Sequence, residues 1–312
     1  MTTQYKPRSW RTYNKSLVER GNLTIWLTSD ALKGWLSRKS SGAQGGREEK
    51  FSDIAILSLM LLKSLYRMPY RMLEGFARSL LRLMGVNLPV PHFTRICKRS
   101  KRLDIPTTTR GKKVTDVVID GSGIKIYGEG EWKVEQHGRE KKKKWKKIHV
   151  AIDPETQELV LTDVTDKDKH DSMMLPPLLS KIRGRLGKVF GDGAYDTREC
   201  YMAIIKRGGQ PYIPPRKTAR LWKGSEPWVL WRNQAVTERW GLGLDVEGLR
   251  LWKKLRGFGK RSLVETFFSR FKRSFGDRAY SKSDTGFSVE VNLKCEILNR
   301  WARLGMPRSV PV

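Results

Sequence analysis

The stretch "TDVVIDGSG" at residues 115–123 runs β-branched apolar residues into an aspartate followed by glycine, and "GKVFGDGAYD" at residues 187–196 repeats the pattern. Short apolar runs rich in valine and isoleucine and closed by glycine mark buried strands. Such a strand has no structural use for a carboxylate at its tip, since an unpaired buried charge is costly. Asp120 and Asp192 therefore point to chemistry at the end of a sheet.

Working outward, "KIHVAIDPETQELVLTDVT" (147–165) reads as two strands joined at a proline-containing turn. "DSMMLPPLLSKIRG" (171–184) and "DTRECYMAIIKRGG" (196–209) read as helices on either side of the Asp192 strand, and "QPYIPPR" (210–216) as an edge strand because of its prolines. Three consecutive strands, then strand, helix, strand, predict an α/β layer whose first strands are antiparallel and whose later ones join by helical crossovers.

A third carboxylate is needed to complete a site for two metal ions, and "GFGKRSLVETFFSRFKRSFGDR" (257–278) offers one. On a helix, Arg261, Glu265 and Lys272 fall within a stripe about 40° wide, beside a broad face of phenylalanines that would pack on the sheet. A surface helix with i,i+4 charge pairs gives the same stripe. Together with two strand-end Asp-Gly units, the stripe reads as the third part of a metal site. Asp116 and Asp196 read as structural, Asp196 as a helix N-cap. In "TDKDKHDS" (165–172) the acids read as a loop, with Asp171 or Ser172 capping the next helix and a supporting part open to His170. The four histidines share no ligand spacing, which argues against zinc.

The front of the chain follows a helical period. "FSDIAILSLMLLKSLYRM" (51–68) is apolar nearly all round behind Ser52, a good N-cap. "RMLEGFARSLLRLMG" (71–85) and "HFTRICKRSKRL" (92–103) follow, the latter crowded with Arg95, Lys98 and Arg99. Helix, turn and basic helix predict a helix-turn-helix for a DNA groove; a helical hairpin with a solvated basic face is the plainer alternative.

Composition favours a polyanionic partner. The chain has 312 residues with 62 Lys and Arg against 32 Asp and Glu, a formal charge of +30. Such a charge repels itself unless nucleic acid cancels it. "HGREKKKKWKK" (137–147), with Lys143 and Lys144 at its centre, reads as a loop that grips phosphate without regard to sequence. "ARLWKGSEPWVLWRNQAVTERWG" (219–241) sets tryptophans among cations, which suits either stacking on unpaired bases or packing of a small insertion. Three scattered cysteines, the lack of a secretory leader and the absence of a ~20-residue apolar run predict a cytosolic chain with no membrane partner.

At these residues the chain resembles the DDE transposases of bacterial insertion sequences. The order strand-Asp120, strand-Asp192, helix-Glu265 resembles their catalytic triad. Phe258-x2-Arg261-x3-Glu265-x6-Lys272 resembles their Tyr-Arg-Glu-Lys/Arg signature, with phenylalanine where the family has tyrosine. The resemblance covers roughly residues 114–300. It implies a ribonuclease-H-like mixed sheet flanked by helices over residues 114–312, with a Trp-rich insertion at about 216–246. Before it would come an all-helical DNA-binding domain with a helix-turn-helix at 51–113 and a basic arm with the first helices at 1–50. It further implies two Mg2+ ions, replaceable by Mn2+, on Asp120, Asp192 and Glu265, and phosphate clamps at Arg261 and Lys272. Terminal inverted repeats and target DNA would be the partners, and a homodimer or larger assembly on DNA in the bacterial cytoplasm the working form. A metal-dependent nuclease without strand transfer and a non-enzymatic nucleic-acid-binding protein are the alternatives.

Overall fold

The computed structural model describes residues 5–7, 9–37, 50–105, 114–127, 145–281, 283–307 and 309–311. The chain forms two compact units, one of residues 1–106 with 279–312 and the other of residues 107–278. The first boundary falls at 106/107 where 113/114 was expected, and the last 34 residues, expected with the sheet, join the first unit.

The first unit begins with α1 (Trp10–Glu19), capped by the Ser9 hydroxyl, and α2 (Ser29–Lys33), capped by Thr28. Its centre is α3 (Asp53–Leu65), where the Ser52 hydroxyl accepts the Ala55 N–H at 3.2 Å, as the sequence predicts. Ile56, Leu59, Leu61 and Leu62 on this helix are fully buried. Next come α4 (Tyr70–Leu83) and α5 (Phe93–Ser100). The connection between them, residues 84–92, is longer than the 3–4 residues of a compact helix-turn-helix.

The second unit is built on a mixed sheet of β1 (Val114–Ile126), β2 (Trp145–Ile152), β3 (Leu159–Asp166), β4 (Arg185–Phe190) and β5 (Gln210–Tyr212). These run in the spatial order β3-β2-β1-β4-β5, and a two-residue strand at Arg278–Ala279, where the unit ends, also pairs β1. β1, β2 and β3 are antiparallel neighbours, as expected, while β1–β4 and β4–β5 are parallel. The crossovers are α6 (Asp171–Lys181) before β4 and α7 (Arg198–Lys206) after it. Strand alternation splits β1 into two faces. Val117 and Ile119 enter a core with Leu175, Leu178 and Leu179 of α6 and Tyr201 and Ile204 of α7. Val118 and Asp120 turn to the opposite face. Trp145, Lys146 and Lys147, read from the sequence as loop, are the first residues of β2.

Beyond β5 lie α8 (Pro227–Gly241) and α9 (Val246–Leu255), then a 3-10 turn at Phe258–Arg261 that leads into α10 (Ser262–Phe275). Val264, Phe267, Phe268, Phe271 and Phe275 form the buried face of α10, which packs on β1 and β2. The chain then returns to the first unit as α11 (Asp284–Leu304), packed on α3. Short strands at Tyr5–Pro7 and Ser309–Pro311 pair antiparallel there. Among the described residues no helix is long and apolar enough to cross a membrane.

Candidate active site: three carboxylates around Arg261

The three carboxylates reach the site from different elements. Asp120 lies in β1, opposite Val150 of β2. Asp192 follows β4 by two residues and caps the 3-10 turn at Gly193–Tyr195, its side chain accepting the Ala194 N–H at 2.9 Å. Glu265 stands in the first turn of α10. Residues 72 and 73 positions apart thus meet at one guanidinium. Arg261 Nη2 donates to Asp120 Oδ2 at 2.9 Å and lies 3.9 Å from Asp192 Oδ2, while Nη1 bonds Glu265 Oε1. The i,i+4 spacing of Arg261 and Glu265, legible in the sequence, sets the last contact.

Burial pushes the Asp120 carboxyl above its ordinary value. Arg261 and the Gly121 N–H, which Oδ1 accepts at 2.8 Å, oppose the rise, while the charges of Asp192 and Asp171 reinforce it. Tyr195 lies beneath, fully buried, with its phenol well above the ordinary range because of burial and then the charges of Asp120, Asp171 and Asp192. Gly191 makes room for it: a Cβ there would meet the Tyr195 ring at 2.9 Å.

The two Asp-Gly units differ in their reasons for glycine. A Cβ on Gly121 would sit 2.5 Å from Asp171 Oδ1, so this glycine admits a further carboxylate to the backbone beside Asp120. At Gly193 the nearest neighbour, the Pro214 carbonyl, is at ordinary contact distance, and nothing in the structure explains the glycine.

Asp171 is not the helix cap the sequence suggests. His170 takes the N-cap position, without a side-chain bond, and Asp171 is the first helical residue. Its Oδ1 lies 3.4 Å from His149 Nδ1 and 3.5 Å from Lys147 Nζ. His149 is fully buried, and its Nε2 is 2.8 Å from Thr165 Oγ1. Burial pulls the imidazole below its ordinary value, with Asp171 pulling the other way. The neutral tautomer that serves both contacts carries its proton on Nδ1, facing Asp171, and accepts the Thr165 hydroxyl at Nε2. Nothing in local spacing marks His149 or Asp171 as a pair, since they meet only through the β2–α6 contact.

A cleft of about 450 Å3 opens beside Asp192 and Arg261, with apolar walls from Pro214, Leu249 and Phe258 and cations at Arg216, Lys217 and Lys253. Phe258 is buried, its ring 6.5 Å from Phe190 and 6.2 Å from Trp252, so this side chain packs in the core. Lys272 is exposed on α10. Of the Trp-rich segment, Trp222 and Trp228 pack against the core behind α7, and the Arg232 guanidinium lies 4.4 Å over the Trp222 ring. Asp196 Oδ1 accepts from Arg232 Nε at 3.1 Å in this buried region, and Thr197, not Asp196, caps α7. Asp116 holds the β1–β4 edge by accepting the Lys188 N–H at 2.8 Å.

In the first unit, Arg95 and Lys98 are exposed on α5, whereas Arg99 is committed to the Phe51 carbonyl at 2.8 Å and to Asp53 at 2.5 Å. Lys143 and Lys144 lie outside the described residues.

Three oxygen-only carboxylates that converge on one positive group have the donor chemistry of a hard divalent cation site. As the side chains stand, no three His, Cys, Asp or Glu side chains among the described residues are placed to share an ion. The guanidinium of Arg261 takes the position between the carboxylates.

Residues 112–300 match the family described as "Transposase DDE domain", and residues 18–129 match a second family with the same description. The chain belongs to the DDE transposases, enzymes that cleave DNA and transfer its strands, and members generally use divalent metal ions. Among solved structures, a piggyBac transposase synaptic complex with hairpin DNA is similar at 10% identity, with a TM-score of 0.31, over 96% of this chain and 84% of that one.

Proposed function

We propose that this chain is the transposase of an insertion sequence, binding its terminal inverted repeats and cutting and joining them through a two-metal site on Asp120, Asp192 and Glu265. The observation that carries the reading is the meeting of these three sequence-remote carboxylates at Arg261. The order β3-β2-β1-β4-β5 supports a ribonuclease-H-like core. Two bound Mg2+ ions, or Mn2+ in their place, would activate the attacking oxygen and stabilise the leaving oxygen of an in-line phosphoryl displacement. Water attacks first and frees a 3′-hydroxyl at the element's end; that hydroxyl then attacks target DNA. Arg261, released from the carboxylates, clamps a phosphate together with Lys272, while Arg216, Lys217 and Lys253 line the approach. Arg95 and Lys98 of α5, with Lys143 and Lys144, contribute phosphate contacts, and Arg99 anchors the start of α3. Joining two ends calls for a dimer or larger assembly, in the bacterial cytoplasm where the DNA is.

The test is strand cleavage and transfer by the full chain on labelled repeat-end DNA with Mg2+. Asp120→Asn, Asp192→Asn and Glu265→Gln should each reduce cleavage below detection while DNA binding persists. Wild-type cleavage by Glu265→Gln would overturn the site. Cleaved ends that never join target DNA would reduce the reading to a nuclease.

A further inference from the structure

Asp171 opens α6 without occupying its N-cap position, and its Oδ1 makes only long contacts, to Lys147 and His149. Its carboxylate fills the space left by the missing Cβ of Gly121, the residue directly after Asp120. Oδ1 is buried there and forms no hydrogen bond. The neighbouring Lys147 ammonium, 3.5 Å away, pairs with it at long range and also donates to the Lys169 carbonyl at 3.0 Å.

Two further buried polar atoms share this condition. His149 is 1% exposed, and its Nδ1, 3.4 Å from Asp171 Oδ1, forms no hydrogen bond; the hydroxyl of Tyr195, also 1% exposed, likewise has none. Buried polar atoms in folded chains are almost always paired, with protein or with ordered water. Oδ1 and Nδ1 face each other in a long contact of 3.4 Å and the Tyr195 hydroxyl has no partner from the described residues, which leaves a place near Asp120 for polar matter such as water or an ion. Asp171 is 29% exposed through its side chain although Oδ1 is buried, so the exposure falls on its remaining atoms, where a ligand can reach. The charge of Asp171 is also felt at Asp120 and at the Tyr195 hydroxyl.

We propose that Asp171 is a fourth carboxylate of the cation site on Asp120, reaching the ion directly or through one of its waters, and that His149 is the positioning residue that fixes its orientation. This rests on the reading of Asp120, Asp192 and Glu265 as metal ligands. The ring of His149, held by Thr165 at Nε2, presents Nδ1–H to Oδ1 and leaves the second carboxylate oxygen free. Carboxylates held in this way by a buried imidazole gain or lose metal affinity by roughly 10–100-fold when the partner is changed.

The experiment is equilibrium Mn2+ binding to the full chain without DNA, followed by the electron paramagnetic resonance signal of free Mn2+, with thermal melting to confirm the fold. Asp171→Asn, which keeps the volume, should weaken Mn2+ binding by about 10–100-fold, while Asp168→Asn in the neighbouring exposed loop leaves it unchanged. His149→Asn keeps a donor at the place of Nδ1 and should bind nearly as wild type; His149→Gln keeps one at Nε2 only and should bind more weakly. Asp120→Asn serves as reference. If it weakens binding and Asp171→Asn does not, the fourth carboxylate is wrong and the triad stands. If Asp120→Asn itself binds as wild type, the metal reading of the triad fails. Should Asp171→Asn not fold, the two His149 variants decide, and equal affinities in both would overturn the proposal.

Discussion

Asp120 is held in a condition that disfavours its own charge. Burial raises its carboxyl above the ordinary 3.8 despite the contact with Arg261. A raised carboxyl means that the folded chain holds the proton more tightly than the unfolded one. Its stabilising contribution is therefore complete below the unfolded value and is lost as pH rises through the folded value. At neutral pH the ionised side chain burdens the fold, as a ligand waiting for a cation would. Asp120→Asn should melt, in chelator at pH 7, no lower than wild type, and the difference should shrink as pH falls toward 4. Mg2+ should raise the melting temperature of wild type and not of the variant, because only a ligand bound by the native form stabilises it. Calorimetry across pH, with and without Mg2+, measures both effects. A lower melting temperature for Asp120→Asn at pH 7 would mean that the Arg261 contact outweighs burial.

The elements were legible where a local pattern carries the information. β1 and β4 announce themselves by β-branched runs, although β1 continues through Gly121 and Gly123 to Ile126 and so does not end at Asp120; α3 is marked by its serine cap, and α10 by a phenylalanine face beside the Arg261, Glu265 and Lys272 stripe. What escaped the sequence depends on distant pairing. Asp171 looks like a cap, since nothing local shows that Gly121, fifty residues earlier, leaves a space for it. α11 follows the α10 segment closely in sequence yet belongs to the first unit, because its apolar face matches α3. Asp196 looks like the cap of α7, a task done by Thr197, while its carboxylate meets Arg232 of α8 in a buried pair, 4% and 2% exposed at the side chains. This pair ties the Trp-rich segment to the end of β4. Asp196→Ala leaves a buried guanidinium with one carboxylate fewer and should cost about 3–5 kcal/mol. Thr197→Ala, which removes only a cap, should cost about 1 kcal/mol. Urea denaturation of the two variants compares them directly; a similar small loss in both would show that water reaches Arg232.

For the whole molecule, a formal charge of +30 makes counterion release the main driving force of DNA binding. Cations appear in both units: Arg95 and Lys98 are exposed in the first, while in the second Arg216, Lys217 and Lys253 line the cleft and Lys272 is exposed on α10. If about six phosphates are neutralised, log K should fall against log salt with a slope of about −5, and affinity should drop about 10³-fold between 50 and 200 mM salt. Removing two of the cleft cations, Lys217→Ala with Lys253→Ala, should reduce that slope by about 2, alike for repeat and unrelated sequences, because phosphate contacts carry no sequence information. Mn2+ binding without DNA should be unchanged in the double variant, since neither lysine pairs with the carboxylates in the structure. Fluorescence anisotropy over a salt series on two duplexes measures the slope and the sequence dependence together. A slope unchanged by the double variant would place the DNA path away from the cleft, and a loss confined to repeat DNA would make these lysines readers of sequence rather than of charge.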